Sequence, residues 1–234
     1  MNFKERSRQS ELLDEAGIPA DALHKNLYEL SVINRWLGGH EATRFALNKI
    51  ITDKKRLWRI LDFGCGGGDS LRFIARWATK NGIKVELHGV DLLPEAIAYA
   101  RSQPSELPIH YHCADFNDFS ESGFDIAFSS LFCHHLYDED LTNLLNAKIN
   151  SAEYAFVNDL HRHPLAYWSI KVLTGLFSRS YLVKNDAPVS VCRAFKRSDW
   201  HEILKSVNAN TIGVHWRWAF RWVVIVKNSD AGQL

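Results

Sequence analysis

The sequence predicts an α/β fold built on a mostly parallel sheet, with an antiparallel last strand and a helical N-terminal cap. From Trp58 onward, short apolar runs alternate with helical segments, which is typical of a parallel sheet covered on both faces. The last two apolar runs, "TIGVHWRWAF" and "RWVVIVK", are too close together for a crossover helix and must pair antiparallel. The apolar runs predict seven strands, so the sheet is Rossmann-like.

The residues before Trp58 predict helices, broken near "AGIP" and again at the glycine pair 38–39. Apolar side chains recur there at the spacing of one helical face. The residues of this face are Leu27, Leu30, Ile33 and Leu37. We therefore predict a helical cap over residues 1–57 and a sheet domain over residues 58–228.

Within the sheet domain, "LWRILDF" is the first strand, and the helix "DSLRFIARWATKNG" after it opens with Asp69 or Ser70 as its cap. Strands and helices then alternate through "EYAFVNDL". An inserted apolar helix is expected near residues 164–179, followed by a loop around "KNDAPVSV" and the helix "SDWHEILKSV". The two closing strands should place Arg217 and Arg221 on the surface.

Composition limits the function classes. The chain of 234 residues is 46% hydrophobic and carries 28 basic and 27 acidic residues, so it lacks the positive charge typical of nucleic-acid binding. We expect a small-molecule partner, no nucleic acid and no membrane span, and no particular oligomeric state is indicated. The polar N-terminus resembles no signal peptide, and the four cysteines lack metal-ligand spacing, so we expect a cytoplasmic protein.

The first strand ends in "GCGGG", a glycine cluster that indicates close approach of a ligand to the backbone. A dinucleotide fingerprint starting at Gly64 would require glycine where Asp69 stands, and that carboxylate would repel a pyrophosphate. No Lys-Ser or Lys-Thr pair follows, which excludes a P-loop. A nicotinamide-dependent oxidoreductase is therefore a weaker alternative.

Carboxylates at the ends of the first three strands indicate a nucleoside ligand. Asp91 ends the second strand, where it can accept both hydroxyls of a ribose. After the third strand, Asp115 can accept from an adenine amino group and the ring of Phe116 can cover the base. Asp62, at the end of the first strand, either orders the glycine loop through backbone N–H groups or contacts the ligand.

Four segments, "ILDFGCGGG", "HGVD", "CADF" and "FDIAFSSLFCHHL", resemble the motifs of class I S-adenosylmethionine-dependent methyltransferases, in the family's order. The resemblance implies S-adenosyl-L-methionine as cofactor, with three glycines of the loop in contact with it and two serines near its sulfonium. The complete expected cofactor site comprises Asp62, Gly64, Cys65, Gly66, Gly68, Asp91, Leu92, Asp115, Phe116, Ser129 and Ser130.

The acceptor is expected to be a small molecule. The fourth motif contains no Asp/Asn-Pro-Pro-aromatic sequence, which argues against a nucleic-acid base. The segments "LYELSVINRWLGG", "NDLHRHPLAYW" and "DAPVSVCRAFKRSDW" resemble bacterial small-molecule methyltransferases associated with aromatic or polyketide substrates. We expect transfer to a hydroxyl of such an acceptor. The alternatives are C- or N-methylation of a small metabolite, or a non-catalytic protein that binds the cofactor.

An acceptor hydroxyl must lose its proton, a task suited to histidine. His134, His135 and His161 follow the fourth and fifth strands, at the sheet edge where the ligand is expected. We predict His161 as the base and His134 or His135 as the alternatives, although each could instead cap a helix or bind backbone. An H-x-H metal site at His161 and His163 has no third ligand at suitable spacing, so no metal is expected.

Two further expectations concern packing. Arg162 is expected to pair with the nearby Asp159 rather than with an acidic group of a substrate. The aromatic residues Trp36, Tyr167 and Trp168 are expected to line a flat apolar substrate pocket between cap and sheet.

Overall fold

The computed structural model describes residues 2–15 and 17–229. Its strands join in one sheet, and the strands at its centre consist largely of apolar and β-branched residues, as buried strands do. In chain order they are β1 (Leu57–Phe63), β2 (Lys84–Asp91), β3 (Ile109–Cys113), β4 (Phe124–Ser130), β5 (Ala152–Leu160), β6 (Ala209–Arg217) and β7 (Arg221–Asn228).

The sheet has the order β3-β2-β1-β4-β5-β7-β6. Strands β1 to β5 pair in parallel, and β7 pairs antiparallel with both β5 and β6. The register places Asp91 beside Cys113 and Ser130 beside Asn158, so the parallel strands end at one edge. The predicted mostly parallel, seven-stranded sheet with an antiparallel last strand is confirmed.

The described residues form eight α-helices. They are α1 (Ala20–Trp36), α2 (Gly39–Ile50), α3 (Asp69–Asn81), α4 (Pro94–Ser102), α5 (Asp138–Ser151), α6 (Pro164–Phe177), α7 (Tyr181–Arg193) and α8 (Arg197–Ile203). None of these helices has the length and apolar character needed to cross a bilayer.

Two apolar layers enclose the sheet because the strands bury both faces. In β1, the side chain of Ile60 joins the layer formed with α2 and α3, and its neighbour Leu61 joins the layer formed with α5 and α8. A third, smaller cluster lies above the edge of the sheet, where Tyr167 and Ile170 of α6 pack against Ile33 of α1. This cluster covers the edge at which the parallel strands end.

The N-terminal strap, which we define as residues 2–15, is fixed against α7 by hydrogen bonds to a buried carboxylate. Asp186 accepts the backbone N–H groups of Leu12 at 2.8 Å and Leu13 at 3.0 Å. These contacts satisfy donors of a short 3-10 turn and hold the strap over the sheet edge. The strap thereby becomes one wall of the space described below.

The prediction of a loop around "KNDAPVSV" is wrong, because this stretch lies inside α7. Ser180 caps the helix by accepting the N–H of Val183, and Pro188 is accommodated within it. Pro, Asn and Asp are turn signals, but most side chains of α7 are buried, and tertiary burial outweighs local preference here.

Two expectations for arginines are also wrong. Arg221 is only 1% exposed, because its Nε donates to the carbonyl of Leu37 at 3.0 Å, and burial lowers its pKa to about 10. Arg162 pairs with Asp199, from Nη1 to Oδ2 at 2.9 Å, and not with Asp159. Local spacing favoured Asp159, but helix α8 brings a different carboxylate to the guanidinium.

Replacement of Ile60 by Ala should lower the free energy of unfolding by about 2–5 kcal/mol, because this side chain is fully buried in the sheet centre. Denaturant titration followed by circular dichroism measures the change. The matched control is Ile212→Ala on β6, where the side chain is 48% exposed and a loss within about 0.5 kcal/mol is expected. Equal losses in both variants would contradict the assigned burial.

Candidate functional site

The glycine loop joins β1 to α3 and has a backbone that other residues would strain. Gly64, Gly66 and Gly68 have φ values of +71°, +49° and +74°, in the left-handed region that favours glycine. A Cβ at Gly64 would lie 2.4 Å from the ring of Phe132, and one at Gly68 would lie 2.2 Å from the hydroxyl of Tyr111. A Cβ at Gly66 would lie 3.7 Å from Leu27 Cδ2, which is an ordinary contact distance. Packing therefore requires two of these glycines, and the third borders open space.

A cavity of about 1030 Å³ lies at the end of the parallel strands. The loops after β1 to β4 form its floor, and α1, α6, α7 and the N-terminal strap form its walls. The expected site residues that line it are Gly64, Cys65, Gly66, Asp91, Leu92, Asp115, Phe116, Ser130, His134 and His135. Asp62, Gly68, Ser129 and His161 do not line it.

Asp91 fixes the glycine loop in position. Its Oδ2 accepts the N–H of Gly66 at 2.7 Å, and its Oδ1 accepts the N–H of Leu93 at 3.0 Å. Asp62 is the other candidate for ordering this loop, but its Oδ1 has no hydrogen-bond partner among the described residues. Burial raises the pKa of Asp91 despite the two N–H donors. The loop is thus anchored to the end of β2.

The carboxylates of Asp62, Asp69 and Asp91 lie close to one another near the glycine loop. The pKa of Asp62 is raised well above its usual value, chiefly by burial and further by the negative charges of Asp69 and Asp91, while the buried Lys148 opposes the shift. A polyphosphate would add negative charge to this group and be repelled. A ligand carrying positive charge would be stabilised there.

Asp69 is the first residue of α3, but it is not the predicted side-chain cap, because the N-cap position is Gly68 and no side chain caps the helix. Its Oδ2 accepts from Asn34 Nδ2 at 2.8 Å and lies 3.1 Å from His40 Nε2. Burial alone would raise the pKa of Asp69, but these contacts lower it. Asp69 therefore stays ionised and joins α1 and α2 to the cavity floor.

The residues after β3 and β4 provide a less polar part of the cavity. Asp115 accepts from the backbone N–H of Asn117 at 2.8 Å, which fixes a tight turn. The rings of Phe116 and Phe132 meet edge to face, with centroids 6.3 Å apart. This arrangement offers a carboxylate and an aromatic surface next to each other, as recognition of a purine base requires.

The two serines at the end of β4 differ in orientation. Ser129 is fully buried, with its Oγ 3.3 Å from Cys133 Sγ, so it faces the core. Ser130 lines the cavity, and its Oγ accepts from Asn158 Nδ2 at 3.3 Å. The alternation of a strand thus brings one of them to the cavity.

His134 is held by a buried carboxylate. Its Nδ1 lies 2.7 Å from Asp159 Oδ1, and its backbone N–H donates to Asp159 Oδ2 at 3.1 Å. Burial alone would raise the pKa of Asp159, but the contact with His134 lowers it, so the carboxylate is ionised and Nδ1 must donate. The lone pair of neutral His134 then lies on Nε2. Such a pairing orients the ring as in hydrolases that use histidine as a base.

Glu11 of the N-terminal strap meets both adjacent histidines. Its carboxylate oxygens lie 3.8 Å from Nε2 of His134 and 3.8 Å from Nε2 of His135. Nδ1 of His135 lies 3.2 Å from Asp14. Burial raises the pKa of Glu11, although Ser190 donates to it at 2.9 Å. The sequence did not reveal Glu11, because only tertiary folding brings the strap to this edge.

The oxygens of Glu11 and the ring nitrogens of His134 and His135 all lie within 4.8 Å of one another, a separation that could suit a metal ion. However, Arg193 stands beside them, with its Nε 3.8 Å from Glu11 and its Nη1 2.7 Å from Asp14. This guanidinium would repel a cation. The cluster is better suited to proton transfer than to metal binding.

His161 lies outside the cavity. Its ring packs against Trp222, with centroids 5.1 Å apart, and its Nδ1 is buried without a hydrogen-bond partner among the described residues. Burial lowers its pKa to about 4, and the nearby His163 and Arg162 add to this shift. The backbone connection to the β6–β7 turn holds it there, since its N–H donates to Phe220.

The expected aromatic pocket is not present. Trp36 and Trp168 are 69% and 56% exposed, and Tyr167 is buried against Phe3. None of the three predicted aromatic residues lines the cavity. Its upper wall is formed largely by aliphatic side chains of the covering helices, such as Leu27 and Ile170.

Residues 60–150, from β1 to the end of α5, match the family model of the methyltransferase domain. The match spans the glycine loop, the carboxylates and the adjacent histidines described above. Residues 60–150 therefore form a methyltransferase domain, and the motifs they contain are those that resemble the class I S-adenosylmethionine-dependent enzymes. No curated protein sequence matches this chain.

Solved methyltransferases share the fold of this methyltransferase. The plantazolicin methyltransferase BpumL is 17% identical, with a TM-score of 0.64 over 89% of this chain and 95% of BpumL. A SAM-dependent methyltransferase from Aquifex aeolicus is 13% identical, with a TM-score of 0.63 over 91% and 100%. Magnesium protoporphyrin IX methyltransferase (ChlM) from Synechocystis PCC 6803 is 15% identical, with a TM-score of 0.56 over 82% and 84%.

S-adenosylmethionine, the cofactor of this methyltransferase, fits the observed groups. The carboxylates around the glycine loop suit its ammonium and sulfonium charges, and Asp91 retains lone pairs for ribose hydroxyls. Open space beside Gly66 allows close approach to the backbone. The turn at Asp115 and the ring of Phe116 suit the adenine.

Replacement of Asp91 by Ala should weaken binding of S-adenosylhomocysteine at least about a hundredfold, because both ribose hydroxyls lose a charged acceptor and Gly66 loses its anchor. Isothermal titration calorimetry measures the affinity. The matched control is Asp21→Ala at the exposed start of α1, which should bind normally. Unchanged affinity in the Asp91 variant would refute its assignment to the cofactor.

Protonation of His161 should destabilise the fold. Its pKa is about 4 in the folded chain and near 6.5 when unfolded, so below pH 6.5 the unfolded state binds the extra proton first. Stability is therefore fully present above pH 6.5 and falls, by at most about 3 kcal/mol, as the pH drops toward 4. Denaturant titrations across this range should show a shallower decline for His161→Asn, whereas His201→Asn, at an exposed site, should follow the wild type.

Proposed function

We propose that this methyltransferase methylates a hydroxyl group of an apolar small molecule, aromatic or polyketide-like, held in the cavity above the sheet edge. The observation that carries the proposal is the His134 imidazole in the cavity wall, oriented by the buried Asp159. When bound, S-adenosylmethionine supplies an electrophilic methyl group. The protein must then position an oxygen, remove its proton and exclude water.

His134 is the proposed base, in place of His161. Asp159 accepts the Nδ1 proton of His134, so Nε2 could take the proton of an acceptor hydroxyl. The bound cofactor would supply the methyl group to that oxygen, with cleavage of its S–CH3 bond and release of S-adenosylhomocysteine. The carboxylate of Glu11, 3.8 Å from Nε2, then stabilises the imidazolium. General-base assistance of this kind contributes about 10²–10⁴-fold to a rate.

The cavity supports an apolar acceptor. Beyond the cofactor groups and the Glu11–His134–His135 cluster, its upper wall is mainly aliphatic, with Leu30, Leu173 and Val183 among the lining residues. At about 1030 Å³ it is as large as the upper range of single-ligand pockets, which leaves room for a second ligand. The similar structures include enzymes named for plantazolicin and for magnesium protoporphyrin IX, and we extend to this chain only the class of small-molecule acceptors.

The domain division follows the same scheme. We assign residues 1–57 to a helical cap and residues 58–228 to the domain that binds the cofactor, with the inserted helix near residues 164–179. The cap, the inserted helix and α7 supply the wall that contacts the acceptor. The reaction is placed in the cytoplasm, where the four free cysteines would stay reduced.

Incubation of the protein with S-adenosylmethionine and a panel of phenols with increasingly apolar substituents tests the proposal. Release of S-adenosylhomocysteine measures turnover, and mass spectrometry with NMR locates the new methyl group. Methyl groups on oxygen are expected, with higher kcat/KM for apolar phenols. Methyl groups only on carbon or nitrogen, or no transfer to any phenol, would overturn the proposed hydroxyl acceptor.

Replacement of His134 by Asn should lower kcat about 10²–10⁴-fold while the affinity for S-adenosylhomocysteine changes little, because the base is lost and the cofactor groups remain. Asp159→Asn should also lower kcat, since the wrong tautomer would be favoured. The matched control is His161→Asn, which should retain kcat because His161 does not line the cavity. A large loss of kcat in His161→Asn with an unchanged kcat in His134→Asn would identify His161 as the base.

A further inference from the structure

Helix α6 leaves a row of large apolar side chains uncovered. This row, called the α6 face, consists of Leu165, Trp168, Val172, Leu176 and Phe177, which are between 56% and 78% exposed. Leu165, Trp168, Val172 and Leu176 recur at intervals of three or four residues, so they occupy one side of the helix, and Phe177 follows them at its C-terminal end. Proteins in water seldom expose a contiguous apolar row of this kind without a binding function.

The opposite side of α6 is apolar as well. Ala166, Tyr167 and Ile170 are buried against the cap cluster that includes Ile33 of α1. A helix with apolar side chains on two opposite sides is usually covered on both of them. One side of α6 is covered by the protein itself, and the α6 face is left for a partner.

The charged residues within α6 and the segment that follows it are all basic. Residues 164–185 contain Lys171, Arg179 and Lys184 and no aspartate or glutamate, and all three basic side chains are exposed. The nearby carboxylate of Glu29 is engaged, since it accepts the backbone N–H of Arg179 at 2.8 Å and further donors from the adjoining residues. The surroundings of the face therefore complement a negatively charged partner.

Helix α6 also borders the cavity. Ser169, Ile170 and Leu173 line it, and they alternate along the helix with residues of the α6 face. Trp218, which is 63% exposed, lines the cavity as well. An apolar molecule at the α6 face would therefore be next to the acceptor space.

We propose that the α6 face docks this methyltransferase onto an anionic lipid membrane, from which it takes an amphipathic acceptor. Apolar side chains enter the interface, Lys171 and its basic neighbours contact anionic headgroups, and the chain stays peripheral because no described helix can span the bilayer. The docking rests on the exposed face alone, whereas the choice of acceptor rests on the proposed function. A second copy of this chain is the alternative occupant.

Vesicle co-sedimentation tests the docking. Vesicles made of equal parts phosphatidylglycerol and phosphatidylcholine should sediment the full-length protein, and vesicles of phosphatidylcholine alone should sediment far less. The double variant Leu176→Glu/Phe177→Glu should partition at least about tenfold more weakly, because two charges replace apolar side chains that enter the interface. The matched control is Ile212→Glu on β6, which is also exposed and should bind as the wild type does.

The contribution of charge is tested with Lys171→Glu, which should weaken binding to anionic vesicles several-fold, and with added salt, which should weaken wild-type binding. Lys54→Glu, an exposed site in another part of the chain, is the matched control. Lys171→Glu and Lys54→Glu should both bind S-adenosylhomocysteine with the wild-type affinity, and this result would show that the two variants are folded.

The docking would be overturned if the protein did not sediment with anionic vesicles, or if the double variant partitioned as the wild type does. It would also be overturned if size-exclusion chromatography showed a stable dimer of the wild type that the double variant does not form. These assays use neither an acceptor nor methyl transfer. Failure of the hydroxyl-acceptor proposal would therefore leave the docking result unchanged, and the converse also holds.

Discussion

Asp91 accepts the N–H of Gly66, and this hydrogen bond fixes the glycine loop against the end of β2. The rest of the site depends on this hydrogen bond because the glycine loop forms part of the cavity floor. Burial raises the pKa of Asp62 well above its usual value, and the negative charges of Asp69 and Asp91 add to this shift because carboxylates repel one another when ionised. The fold tolerates this repulsion at a place where a positively charged cofactor relieves it.

The second organising element is the N-terminal strap. Asp186 holds its 3-10 turn, and the turn delivers Glu11 to the pair of adjacent histidines. The proposed base is thus assembled from three distant parts of the chain, with Asp159 from β5 behind His134 and Glu11 in front of it. Removal of water from this cluster makes each interaction stronger, and it also makes an unpaired charge more costly.

The sequence predicted the sheet and the edge at which the cavity lies because both depend on local patterns. Apolar runs specify buried strands, and Asp91 follows such a run directly, so its position required no knowledge of tertiary contacts. Glu11 and Asp159 depend on long-range packing, and no spacing signal marked them as partners of His134. The same reason explains the errors at α7 and Arg221, where burial by distant segments outweighed turn-forming and charged residues.

We infer that the buried carboxylates make the glycine loop a site for a positively charged adenosyl cofactor and exclude a pyrophosphate. Parallel calorimetric titrations with S-adenosylmethionine, S-adenosylhomocysteine and NADH test it most directly. Binding of both adenosyl sulfur compounds in the micromolar range, with none of NADH, is the predicted result. Binding of NADH with an affinity equal to or higher than that of S-adenosylmethionine would contradict the account.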